Sequence, residues 1–190
     1  MEKIKLGKVF ILFTYSHVIG VMCQSPLSVG TWFNNLNILT APKSLTLQFY
    51  AQDIVTGPGQ TTYEIARSSI SATSPTSFGI LYMVDNQLNT GPDPNSPRVG
   101  RRQGLVGFSD LNELALYLSF NFVFQGGLYN GSTISVIGRS RIASTERELS
   151  IVGGTGVFRL ARGVVIYTTY SFNSTTNNSV FKYTLYITYY

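Results

Sequence analysis

The sequence predicts an all-β fold of about eight antiparallel strands, and three observations lead to this prediction. Charged residues make up only 12% of the chain while tyrosine and phenylalanine number 12 each, which disfavours disorder and suits packed strands. Successive segments alternate apolar and polar side chains with a period of two. Short clusters of Gly, Pro and Asn separate these segments, as is typical of a β-sandwich or a closed barrel.

The first strand is predicted over residues 45–53, where apolar side chains from Leu45 to Ala51 alternate with polar ones. Asp53 continues the apolar parity, so its carboxylate should point the same way as the leucines. A Gly-Pro-Gly turn at 57–59 then breaks the chain. The other strands are predicted at residues 64–72, 78–85, 99–108, 111–125, 133–141, 148–152, 157–170 and 180–189.

The segment 111–125 is the longest stretch in which a strand and a helix are both conceivable. Every second residue from Leu114 to Phe124 is apolar, and this strict alternation favours a strand. A closed barrel removes the exposed edges that such aromatic strands would otherwise present. With about eight strands its interior holds either packed side chains or one small ligand.

The first 23 residues read as a secretory signal peptide that is cleaved before Gln24, with an uncleaved anchor as the alternative. Residues 24–44 are expected to form a loose N-terminal arm, and residues 45–190 the barrel domain. Cys23 and His17, the only cysteine and histidine, would leave with the signal. This excludes a thiol nucleophile, a Ser-His-Asp triad and His or Cys metal ligands, and we predict no metal and no cofactor.

Cleavage also lowers the formal net charge from +5 to +3, because residues 24–190 hold eleven basic and eight acidic side chains. No basic helix or basic–aromatic ladder is present, so nucleic acid is not an expected partner. No later segment is long and apolar enough to span a membrane. Three sequons, at Asn130, Asn173 and Asn177, predict glycosylation of surface turns.

Several motifs follow one another in a distinctive order. They are Phe-Tyr-Ala-Gln-Asp at 49–53, Val-Gly-Arg-Arg-Gln-Gly at 99–104, Gly-Ser-Thr at 131–133, a Gly-rich block at 147–158 and Ala-Arg-Gly at 161–163. Together they closely resemble the plant dirigent family, from about Leu45 to the C-terminus. The Gly-rich block is the most specific part.

This resemblance implies an eight-stranded antiparallel barrel of the allene-oxide-cyclase-like type, secretion to the apoplast and a homo-oligomer, a dimer or trimer. It also implies a role in lignan or related phenylpropanoid biosynthesis. Dirigent proteins orient two phenoxyl radicals, typically from coniferyl alcohol, so that coupling gives one stereoisomer. The radicals come from an external laccase or peroxidase, so the directing protein itself is not an oxidative enzyme.

Two residues match the family's pocket. Asp53 would hydrogen-bond a phenol or donate a proton to a quinone methide, or else it merely caps the turn at 57–59. Arg147 would bind a phenolate oxygen or pair with Asp53, or else it forms a salt bridge at the rim. Phe49, Val106 and Ser140 are predicted to line the substrate pocket beside them.

Three positions depart from the lignan-forming members of the family. Ser140 stands where they carry a second acidic residue, Val106 where they carry a tyrosine, and Gln52 where a histidine is usual. Serine is a poor proton donor and valine has no hydroxyl group. The acid-assisted cyclisation that follows coupling in those members is therefore not expected to carry over directly.

Other features of the sequence receive structural interpretations. The glycines at 153–156 resemble a phosphate loop, but a strand rather than a helix is predicted to follow them. Arg101 and Arg102 are adjacent on a strand and face opposite sides, so at most one reaches the interior. The aromatic tail from Tyr183 to Tyr190 is interpreted as barrel wall or subunit interface.

Three functions remain open at this point. The first is stereoselective direction of phenoxyl radical coupling. The second is a quinone-methide cyclase or dehydratase in isoflavonoid-type metabolism, which would use Asp53 and Arg147 for acid assistance. The third is a non-catalytic wall protein in lignin deposition or defence. An apolar cavity reaching Asp53 would favour the first two, and a filled interior the third.

Overall fold

The computed structural model describes residues 29–36 and 41–190. The chain divides into two compact units, Met1–Leu36 and Asn37–Tyr190. The described part of the first unit contains one short helix, α1, at Val29–Asn34. The predicted signal peptide and the remainder of the arm before residue 41 lie outside the described residues. None of the described helices is long and apolar enough to cross a bilayer.

In its described residues, 41–190, the second unit is all-β, and the nine strands found there follow the order of the predicted segments. Their bounds are β1 Lys43–Asp53, β2 Thr62–Ala66, β3 Leu81–Asn89, β4 Arg98–Phe108, β5 Ala115–Phe124, β6 Thr133–Arg141, β7 Arg147–Thr155, β8 Arg162–Asn173 and β9 Asn178–Tyr189.

The strands form one antiparallel sheet that closes on itself. Its order is β1-β9-β8-β7-β6-β5-β4-β3-β2, and an additional pairing of β1 with β3 closes the ring. The end of β1 pairs with the second half of β3, while β2 pairs with the first half, so β1 and β2 follow one another along the same edge of β3. The result is the predicted eight-stranded barrel, with β2 as a short extension of the β1 position.

Alternation along each strand sends one set of side chains inwards, where aromatic rings fill the middle of the barrel. The ring of Phe122 is fully buried and lies 4.9 Å from Phe49, 5.1 Å from Phe120 and 5.1 Å from Tyr183, edge to face in each case. Such pairs contribute about 0.5–1.5 kcal/mol each beyond the burial of their surface. At this level packed side chains fill the interior, which is one of the two alternatives that the sequence left open.

One end of the barrel is closed by an apolar plug. Phe158 is fully buried there, with its ring 5.5 Å from Phe124 and 5.7 Å from Tyr189. Strand β8 was predicted from residue 157, but Gly156–Phe158 forms a turn of 3-10 helix that carries Phe158 into the plug. The strand therefore begins only at Arg162.

The segment predicted as a strand over 64–72 is also shorter than expected, since β2 ends at Ala66. Beyond it the chain turns repeatedly, and Ser71 and Ser74 bind its backbone: Ser71 Oγ donates to the carbonyl of Phe78, and Ser74 Oγ accepts from the Phe78 N–H. Hydroxyl groups that bond nearby backbone in this way compete with strand pairing.

Strands β8 and β9 approach closely at one glycine. Gly163 has φ of 152°, and a Cβ atom there would lie 1.9 Å from the carbonyl oxygen of Tyr186. Only glycine fits this position without moving the strand.

Candidate functional site

The end of the barrel opposite the plug holds a polar cluster. It is built from inward-facing side chains of eight strands: Asp53, Thr62, Asn86, Arg102, Ser140, Arg147, Tyr167, Thr169 and Tyr183. The antiparallel arrangement brings the end of β1 and the starts of β7 and β9 to the same end of the barrel, so residues far apart in sequence meet here.

Asp53 lies on the inner face, as its parity predicted, and its side chain is 14% exposed. Its Oδ1 atom accepts two hydrogen bonds, from the Thr62 hydroxyl and from the Asn86 amide at 2.9 Å, and forms an ion pair with the Arg102 guanidinium at 3.6 Å. Oδ2 accepts none of these bonds. The carboxylate thus contacts the interior cluster, and the alternative role of capping the turn at 57–59 has no support in these contacts.

Asp53 forms its ion pair with Arg102, whereas the sequence analysis had considered a pair with Arg147. Arg102 is 3% exposed, and its Nη1 donates to the hydroxyl of Tyr183 at 2.6 Å. The guanidinium also lies 5.4 Å from the ring of Phe120 and 5.5 Å from that of Phe181. Burial acts to lower the pKa of Arg102, but the nearby Tyr183 and Asp53 outweigh it and leave the pKa raised, so the group is charged.

Its neighbour Arg101 points outwards, as expected for adjacent residues of a strand. There it forms an ion pair with Asp85. The sequence analysis predicted that at most one of these two arginines reaches the interior, and the structure confirms this, with Arg102 as the inner one.

Two stacked tyrosines connect Arg102 to the far side of the cluster. The rings of Tyr183 and Tyr167 lie 5.2 Å apart and nearly parallel, at 16°. The pKa of Tyr183 is raised to about 12, chiefly by burial, so its phenol stays neutral at physiological pH. The hydroxyl of Tyr167 is hydrogen-bonded to the hydroxyl of Ser140, which is 1% exposed. Ser140 thus lies inside the cluster, with its hydroxyl engaged by Tyr167.

Arg147 is buried rather than on the rim, with 8% of its surface exposed. Its Nη2 donates to the Thr169 hydroxyl at 2.6 Å, and its guanidinium lies 4.3 Å from the ring centre of Tyr167 and 5.7 Å from that of Phe181. Within residues 29–36 and 41–190, Arg147 forms neither a salt bridge at the rim nor a pair with Asp53.

Three polar atoms of the cluster are buried and have no hydrogen-bond partner within the described residues: Nε of Arg102, Nε of Arg147 and Oδ1 of Asn86. Leaving such atoms unpaired costs about 1–3 kcal/mol each, and more when the group is charged. Groups of this kind are the ones that a bound water or ligand satisfies.

The cluster adjoins the surface beside Asp53. A depression of about 240 Å³ there is lined by Asp53 together with Ser171, Phe172 and Ser179 from the β8–β9 hairpin. It is open to solvent, not enclosed, and its volume is below that of pockets that hold drug-sized ligands, about 300–1,000 Å³.

Two of the predicted pocket residues lie at different depths. Phe49 belongs to the packed aromatic core, with its ring 4.9 Å from that of Phe122. Val106 is half-buried and pairs with Leu118 across β4 and β5. Their contact with a substrate stays a prediction.

The predicted glycosylation sites lie in surface turns. Asn173 and Asn177 are exposed in the β8–β9 hairpin, and Asn130 is exposed in the turn between β5 and β6. The side-chain oxygen of Asn130 accepts the N–H of Gly126 at 2.8 Å, and that of Asn173 accepts the N–H of Thr175 at 2.9 Å. Occupancy of the three sequons stays a prediction.

Sequence reasoning missed Thr62, Asn86, Tyr167, Thr169 and Tyr183, and left Arg102 unassigned. The alternation along the strands predicts that some of these side chains face inwards. It does not predict which groups their hydroxyls and amides bind. No group of three or more acidic, His or Cys side chains that could hold a metal ion is found in residues 29–36 and 41–190.

Comparison with known proteins identifies the family. The model of the family described as Dirigent-like protein matches residues 44–188, almost the whole barrel. This chain belongs to the dirigent family. Among its relatives, Dirigent protein 21 of Arabidopsis thaliana is 41% identical to this dirigent protein over 147 residues, covering 77% of this chain and 78% of the relative.

Other similar proteins carry the name of an enzyme. Pterocarpan synthase 1 of Glycine max is 37% identical over 145 residues, covering 76% of this dirigent protein and 78% of the relative. The solved structure of the pterocarpan synthase dirigent protein GePTS1 superposes with a TM-score of 0.74 at 33% identity, covering 80% of this chain and 87% of that one. The family and the fold expected from the sequence are thus both confirmed.

Proposed function

We propose that this dirigent protein directs the stereoselective coupling of phenoxyl radicals of monolignols such as coniferyl alcohol. The radicals would be made by an external laccase or peroxidase, and the protein would act as an auxiliary in the apoplast, after removal of the signal peptide. We further propose that it works as a homo-oligomer, a dimer or a trimer.

One observation carries this proposal: an aromatic barrel ends in a cluster that offers one carboxylate and two guanidinium groups. Aromatic surfaces such as Phe181 suit a phenolic ring, and the few polar groups can fix its orientation. Orientation is the source of selectivity, because a difference of about 1.4 kcal/mol between two coupling geometries gives a tenfold bias. Ser140, whose hydroxyl is engaged by Tyr167, adds no second acid.

The test is the enantiomeric ratio of the coupling products. The purified protein alone should leave coniferyl alcohol unoxidised. With an added laccase, the ratio should depart from one as the protein concentration rises. A racemic product at saturating protein would eliminate coupling of this substrate.

The second candidate is a ring-closing dehydratase that acts through a quinone methide. It is favoured by the similarity to proteins named pterocarpan synthases and by the position of Asp53, whose contacts with Thr62, Asn86 and Arg102 all use Oδ1 rather than Oδ2. In this case a hydroxylated isoflavonoid should be converted without any oxidant, and Asp53→Asn should abolish turnover. Absence of conversion by the wild-type protein rejects this candidate.

The third candidate is a non-catalytic wall protein, which is favoured by the packed middle of the barrel around Phe122. Such a protein has no defined small ligand. Calorimetric titration with coniferyl alcohol separates it from the first candidate, because saturable binding at one site per chain rejects the wall protein.

A further inference from the structure

The charges inside the polar cluster do not balance. Two guanidinium groups, of Arg102 and Arg147, face a single carboxylate, of Asp53. The remaining polar members are hydroxyls and amides, and the phenol of Tyr183 stays protonated because burial raises its pKa to about 12. These cluster residues together therefore carry one net positive charge.

This surplus charge is localised on Arg147. Asp53 already pairs with Arg102, at 3.6 Å, and Arg147 forms no ion pair with a carboxylate within residues 29–36 and 41–190. Arg147 is nevertheless nine-tenths buried. A buried charge without a counter-charge is costly, and the Tyr167 ring at 4.3 Å offsets only part of that cost.

The free hydrogen-bonding capacity of Arg147 has a definite geometry. Among the residues that the structure describes, its Nε has no hydrogen-bond partner, and the adjacent Nη2 donates only to the Thr169 hydroxyl, which uses one of its two hydrogens. Nε and an Nη atom form one edge of the guanidinium fork, which matches the two oxygens of a carboxylate. The rings of Tyr167 and Phe181 flank the same group and offer apolar contact to an attached aromatic ring.

We propose that the cluster binds an aromatic carboxylate of the hydroxycinnamate class on Arg147, in preference to the neutral hydroxycinnamyl alcohol. This inference rests on the proposed function, since it names the substrate of the same site. A carboxylate is ionised at physiological pH and neutralises the surplus charge. A phenol has an ordinary pKa of about 10, so it is neutral at that pH and cannot neutralise the surplus charge.

The direct test compares ferulate with coniferyl alcohol, which share the same ring and differ in a carboxylate against a hydroxymethyl group. Isothermal titration calorimetry of the protein that begins at Gln24 should give a dissociation constant at least ~10-fold lower for ferulate. Arg147→Gln should remove this preference. Equal or tighter binding of the alcohol by the wild-type protein overturns the proposal, as does a preference that survives in a folded Arg147→Gln protein.

A second pair of variants changes the charge without removing an arginine. Ser140→Asp places a carboxylate beside Tyr167, and Ser140→Asn places a neutral side chain of the same size there. The ratio of ferulate to alcohol affinity should be several-fold lower in the Asp variant than in the Asn variant. Equal ratios in the two variants contradict the charge argument, whatever the effect of the added volume.

The outcome of this test is separable from that of the coupling assay. Biased coupling of coniferyl alcohol without tighter binding of ferulate leaves the proposed function standing and overturns the inference. Binding of ferulate that depends on Arg147, combined with racemic coupling of both compounds, supports the inference and rejects the proposed function.

Discussion

Replacing Tyr183 by phenylalanine tests whether the buried cluster exists as described. The change keeps the ring, and with it the stacking on Tyr167, but removes the hydroxyl that accepts the 2.6 Å hydrogen bond from Arg102. A hydrogen bond to a charged group contributes about 1.5–3 kcal/mol. Arg102 already has one unpaired nitrogen, so Tyr183→Phe should lower the free energy of unfolding at pH 7 by about 2 kcal/mol.

Because of the same hydroxyl, the free energy of unfolding should depend on pH in the alkaline range. The pKa of Tyr183 is raised from 10.0 to about 12, chiefly by burial. The folded protein therefore keeps the phenol proton of Tyr183 at a pH where the unfolded chain releases it. This contribution to stability is fully present below pH 10 and is lost as the pH rises from 10 to 12. At pH 11 the loss is about 1.4 kcal/mol, and the Phe variant does not share it.

Urea unfolding followed by circular dichroism at pH 7 and pH 11 measures both effects. The difference in unfolding free energy between wild type and Tyr183→Phe should shrink by about 1.4 kcal/mol at the higher pH. Tyr186→Phe, at an exposed position of the same strand, is the control at pH 7 and should change stability by less than about 0.5 kcal/mol. The reasoning is refuted if Tyr183→Phe is as stable as wild type at pH 7, or if the difference is the same at both pH values.

Three further predictions concern the barrel itself. Phe122→Ala should cost about 3 to 5 kcal/mol of unfolding free energy in urea, since the ring is fully buried among other rings. Gly163→Ala should lower the melting temperature markedly, whereas Gly153→Ala should not, because a Cβ atom meets nothing closer than 3.8 Å at Gly153. The pKa of Asp110 is lowered to about 2, chiefly by the hydrogen bond from Arg139. Stability should therefore fall as the pH drops from about 4 towards 2, and thermal melts of Asp110→Asn should show a smaller fall.

Each of these three has a clear contrary result. A cost below about 1 kcal/mol for Phe122→Ala would show that the middle of the barrel is loosely packed. Equal melting temperatures for the two glycine variants would contradict the close approach of β8 and β9. If the stability of Asp110→Asn falls as steeply between about pH 4 and pH 2 as that of wild type, the ion pair with Arg139 does not contribute to acid stability.

The positions of the strands were largely predictable from the sequence, because the period of two is a local property. The alternation over 114–124 placed β5 correctly, and the parity of Asp53 placed its carboxylate inside the barrel. The errors arose where local and tertiary effects compete. The strand predicted from residue 157 begins at Arg162 because Phe158 turns inwards to close the barrel end.

The partners of the charged groups could not be predicted in the same way. Which arginine pairs with Asp53 depends on the stagger between β1 and β4, two strands that never pair with one another in the sheet. Family resemblance drew attention to Arg147, while Arg102 offered only the parity argument that one of two adjacent arginines faces inwards. Tyr183 was interpreted as wall, and it is indeed part of the packed core, but its hydroxyl also links Arg102 to the cluster.

The claim that this polar end of the barrel directs coupling is tested most directly by the enantiomeric excess of laccase-generated dimers with two matched arginine variants. Arg147→Gln alters the cluster, whereas Arg139→Gln alters a guanidinium on the outer face that pairs with Asp110 and Glu113. We predict that the excess seen with wild type persists in Arg139→Gln and falls to near zero in a folded Arg147→Gln protein. An excess that is unchanged in Arg147→Gln would contradict the account.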